Sequence, residues 1–157
     1  MSRPPVAPEL DQATRRALAV GLFNYTWTLL ENPSRTREQD DEMLHAAHAS
    51  RYHWGEVGED VNLARGEWQV SRVYAVLGRG EPALYHARRC VEITEANEVG
   101  REDWELGSAY EAMARASAVA GDRAASEEWK ARAVAELPRI GEEEDRQVLE
   151  QDIATLP

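Results

Sequence analysis

Apolar positions recur at the helical interval along nearly the whole chain. Leu18, Leu22, Tyr25 and Leu29 fall at i, i+4, i+7 and i+11, so they share one face of a helix. This spacing predicts a first helix over 9–31, broken by Asn32-Pro33-Ser34. A second is predicted over 37–54, ended by Gly55 and Gly58, and a third over 59–77, followed by Gly78 and Gly80. Glu81-Pro82 opens a fourth, with proline at a tolerated first-turn position, and it closes near 97–100. A fifth runs over 102–120 to a Gly121-Asp122 turn, and a sixth over 123–137 is stopped by Pro138 and Gly141. A short seventh over 142–154 begins with acids, which suits the positive end of the helix dipole. The expectation is an all-α domain over 9–157: about three antiparallel hairpins stacked side by side, with the seventh helix as a C-terminal cap. Residues 1–8, with Pro4, Pro5 and Pro8, are expected to be disordered.

Composition agrees with helix. Alanine occurs 24 times, isoleucine 3 times and phenylalanine once, a mixture that favours helix over strand. A chain of 157 residues can bury a core without disulfide or metal staples, and the single cysteine, Cys90, cannot form an internal disulfide. No apolar run is long enough for a membrane span, and the N-terminal stretch lacks the apolar core of a signal peptide. A cytoplasmic location is therefore expected, with no membrane partner. The net charge of −11 would repel a polyanion, so nucleic acid is not an expected partner. Seventeen of the 18 basic residues are arginine, whose planar fork suits carboxylate and phosphate.

Short helices on short loops invite a search for repeats. At an offset of 43, Arg72, Ala75, Val76, Gly78, Arg89 and Val91 fall on Arg115, Ala118, Val119, Gly121, Arg132 and Val134. At an offset of 40, Leu44 and Ala47 fall on Leu84 and Ala87. Tyr74, Gly78, Ala83 and Cys90 within 65–97, and Gly121, Ser126, Ala133 and Pro138 within 108–140, follow an aromatic–glycine–small–small–proline pattern in two partial copies. The two segments resemble tetratricopeptide (TPR) repeats, in which two helices pair around small residues with glycine at the turn.

The resemblance implies that the first helix of each hairpin lines a concave groove where a ligand lies. It places Arg65, Trp68, Arg72, Ser108, Glu111 and Arg115 on that groove, with Gly21, Asn24 and Thr28 as their counterparts on the first helix. Packed helices would set Arg72 and Arg115 about 10 Å apart, close enough to engage one anionic group between them. Forked donors beside an aromatic wall suit a carboxylate, a phosphate or the acidic end of a partner peptide. A competing expectation is that the arginines pair with Glu67, Glu111 or acids of the seventh helix, which could itself occupy the groove.

A second constellation lies on the second helix. Asp41, His45, His48 and Tyr52 recur at i, i+4, i+7 and i+11, opposite the small-residue face of Met43, Ala47, Ser50 and Trp54. A carboxylate and two imidazoles at this spacing could hold a divalent transition metal such as zinc or iron. Equally, Asp41 could orient a histidine as a general base, or the stripe could be a solvated or interface face. His53 points to the side, and His86 flanks the core of the fourth helix. Cys90 sits among Ala83, Ala87 and Val91 and is expected to be inert packing.

The leading functional expectation is a small non-enzymatic binding or adaptor module for a protein or peptide partner, or for a small anionic ligand. No cofactor is expected for it. The alternative is a metal-dependent or acid–base enzyme at Asp41, His45 and His48. Three hairpins are few for a free-standing array, so a homodimer is compatible with either.

Overall fold

The computed structural model describes residues 9–157. The expected disordered segment 1–8 lies outside them. Seven α-helices and no strand occur among the described residues: α1 (Gln12–Leu30), α2 (Arg37–Val57), α3 (Asp60–Val76), α4 (Gly80–Ala96), α5 (Glu105–Val119), α6 (Arg123–Glu136) and α7 (Glu143–Ala154), with a 3-10 turn over Leu137–Arg139.

Local chemistry sets several of the boundaries. The Asp11 carboxylate caps α1 by accepting from the Thr14 amide, and Thr36 with Gln39 forms a capping box at α2. Asp122 caps α6 through the Ala125 amide. Gly55 does not end α2 as expected. It lies within the helix, which runs on to Val57, and Gly58 is the residue that caps it.

The hairpins α1–α2, α3–α4 and α5–α6 are the closest pairings, and they stack in chain order. The turns within the second and third hairpins are the same. Gly78 (φ 72°) and Gly121 (φ 87°) are the positive-φ residues among those described, a conformation that only glycine adopts at little cost. The amide after each glycine donates to the same relative carbonyl, Arg79 to Tyr74 at 2.8 Å and Asp122 to Ser117 at 2.9 Å. The offset of 43 is thus a structural equivalence of the two turns.

Alanine makes close helix packing feasible. Ala64, Ala83, Ala87, Ala109, Ala112 and Ala116 are buried where α3, α4 and α5 meet. Met43, Ala47, Val70 and Val73 join the first two hairpins. The seventh helix is a cap, as expected: Leu149 and Ile153 bury against Ala133 and Ile140. One consequence was not expected from the periodicity. Helix α5 lies against α3, α4, α6 and α7, so it is buried on nearly all sides, Glu111 included. No helix among the described residues is long and apolar enough to cross a membrane.

Candidate functional site

A cavity of about 370 Å³ is lined by residues of α1, α3, α4, α5 and α7. Phe23 and Trp27 reach it from α1, Arg65 and Trp68 from α3, and Glu105 and Ser108 from α5, with Trp104 just before α5. Helix α7 closes one side with Asp145, Val148 and Asp152, while Ala64, Cys90 and Thr94 also line it. The Trp27 and Trp68 rings lie 5.5 Å apart and tilted by 35°. Burial pushes the Cys90 thiol up to about 12, so it is a packing residue and not a nucleophile at neutral pH.

The arginines of the groove are already engaged. Arg65 donates Nε to Glu105 at 2.6 Å and lies over the Trp104 ring at 5.1 Å. Arg72 lies 4.9 Å over Trp68 and reaches both Glu111, at 3.3 Å, and Asp152, at 3.1 Å. Arg115 donates Nε to Glu111 at 2.7 Å, and its remaining nitrogens reach the Asp152 carbonyl at 2.8 Å and the Thr155 hydroxyl at 2.9 Å. The expectation that Arg72 and Arg115 stand as open donors is therefore corrected. The anionic group between them is the chain's own Glu111, which is fully buried. Burial raises the Glu111 pKa above its ordinary value, outweighing the pull of Arg72 and Arg115. The same two arginines hold α7 by its C-terminal carbonyls and by Asp152.

On α1 the expected groove positions are shifted. Gly21, Asn24 and Thr28 are exposed, and the Asn24 carbonyl accepts from the Thr28 hydroxyl at 3.3 Å. Phe23 and Trp27, one turn apart, face the cavity instead. Their four-residue spacing was the available signal. The TPR resemblance implies a helix rotation one residue away, at Asn24 and Thr28.

The histidine stripe of α2 divides. Asp41 and His45 are exposed, whereas His48 is half-buried and its Nε2 lies 2.9 Å from the Tyr74 hydroxyl. Among the described residues no three histidine, cysteine or acidic side chains are grouped so as to hold a metal ion. His48 instead joins a cluster that sequence reasoning did not assemble. Its ring meets His86 edge-on at 5.4 Å, and His86 stacks on Tyr74 at 5.8 Å. His86 Nδ1 lies 2.6 Å from Glu67, whose other oxygen accepts from Arg51 Nε at 2.9 Å. Burial lowers the His48 pKa, and His86 adds to the effect. For Glu67, burial works upward, but the His86 hydrogen bond and Arg51 hold the carboxyl below its ordinary value. These partners come from three helices: His48 and Arg51 from α2, Glu67 and Tyr74 from α3, and His86 from α4.

A scan against protein-family models finds no match, and a search of curated proteins finds none either.

Proposed function

We propose that the protein is a small non-enzymatic binding module of the TPR type, whose concave cavity receives an apolar group of a partner or of a small molecule. The observation that carries this is the cavity itself. Its volume, about 370 Å³, falls within the usual range of ligand sites, about 300–1,000 Å³. Three of the five tryptophans, with the single phenylalanine, wall it. Such rings supply contact area at low rotamer cost. The placement of Phe23 and Trp27 on α1 and of Trp68 on α3, the first helices of successive hairpins, supports the TPR reading, as does the repeated glycine turn. With Arg72 and Arg115 committed to Glu111 and α7, aromatic contact does most of the binding.

The test is a plug. Val148 lines the cavity and is 59% exposed on α7, so a larger side chain there can be accommodated without disturbing the core. Calorimetric titration of 2-phenylethanol is expected to give saturable 1:1 binding to the natural chain, weakened at least about tenfold in Val148→Trp, the equivalent of about 1.4 kcal/mol. Equal binding to both proteins would place the probe elsewhere and defeat the proposal.

A further inference from the structure

We infer that the cavity selects an organic cation: an amine with an apolar body, the body against the aromatic wall and the ammonium group at Trp27 and Asp145. This rests on the binding reading above and adds the charge of the ligand.

Two independent features of the wall carry it. The first is the balance of charge. The charged side chains that line the cavity are three carboxylates, Glu105, Asp145 and Asp152, and one guanidinium, Arg65. Glu105 is matched by Arg65 and Asp152 by Arg72. Asp145 has no ion-pair partner among the described residues. It is half-buried in the first turn of α7.

The second feature is the pattern of cation–ring contacts. Arg16 lies over Trp54, Arg65 over Trp104, Arg72 over Trp68 and Arg132 over Trp129. Trp27 is the tryptophan with no guanidinium over it among the described residues, and it faces the cavity. A ring face without a cation and a carboxylate without a counter-ion, on one cavity, are what an ammonium group needs. An anion would meet a surplus of carboxylates there, on a chain whose net charge of −11 already disfavours its approach.

The experiment uses three probes with one phenyl body, titrated by calorimetry into the full chain at pH 7 and low salt: 2-phenylethylamine, 2-phenylethanol and 3-phenylpropionate. The amine is expected to bind about tenfold more tightly than the carboxylate, with the alcohol between them, the scale of a partly exposed ion pair and a cation–ring contact together. In Asp145→Asn the preference of amine over alcohol is expected to shrink. Alcohol and amine binding alike, or the carboxylate binding best, would overturn the cation assignment and leave the binding module standing. Failure of all three to bind would overturn both.

Discussion

Arg115 shows how a side chain that reads as a surface charge becomes a structural one. Its guanidinium joins α5 to α7 through Glu111, the Asp152 carbonyl and Thr155. Arg72 reaches the same carboxylate from α3. Removing either fork leaves a fully buried Glu111 with half its compensation. Arg72→Ala and Arg115→Ala are therefore each expected to lower folding stability by about 1.5–3 kcal/mol, the range for hydrogen bonds to charged groups. Arg115→Lys is expected to recover only part, because one ammonium cannot reproduce the bidentate geometry. Denaturant melts of the three variants check this, and midpoints equal to that of the natural chain would contradict it. The sequence placed Arg72 in register with Arg115 and suggested an anionic group between the two. The competing expectation, pairing with Glu111 and with acids of the seventh helix, is the one the contacts follow; the full burial of Glu111 was not legible, because periodicity reports one buried stripe per helix and α5 has neighbours on nearly every side. The Glu67–His86–His48–Tyr74 cluster was hidden for a different reason: it forms where α2, α3 and α4 meet, and spacing within one helix does not encode that contact.

At the level of the elements, α7 is the piece that makes a cavity from an open groove. Its apolar side, Leu149 and Ile153, packs on Ala133 and Ile140, while Asp145, Val148 and Asp152 face the cavity. The fit against α5 is tight. A β-carbon at Gly107 would lie 2.5 Å from a Leu149 methyl, so glycine there is what lets the helix seat. Leu149, 1% exposed, is the anchor. Leu149→Ala is expected to cost about 2–5 kcal/mol and to loosen α7 before the hairpins, so amide exchange should rise first over 143–154. Exchange rising uniformly through all helices would show that α7 is an integral part of the core and not a cap. The sequence supported α7 as a helix and as a cap through its acidic start, its short length and the preceding Pro138. The glycine turns at 78 and 121 were also legible, since a left-handed residue between two helical patterns demands glycine. Gly55 misled because glycine inside a helix is tolerated when neighbours hold it.

For the molecule as a whole, hydrophobic spacing and small-residue content were sufficient for an all-α stack of hairpins, because both are local properties repeated along the chain. The site was only partly legible. Arg65, Trp68 and Ser108 do line the concave cavity, but Phe23, Trp27 and the α7 contribution depend on helix rotation and on a tertiary closure that spacing does not encode. The central claim is that this aromatic cavity is where the protein binds. Five tryptophans give five indole N–H resonances, each assignable by a single Trp→Phe variant, and a phenylethylamine titration reads all five at once. The resonances of Trp27, Trp68 and Trp104 are expected to shift together and saturate, while those of Trp54 and Trp129, outside the cavity, stay in place. Shifts confined to Trp54 and Trp129, or no saturable shift at any of the five, would contradict it.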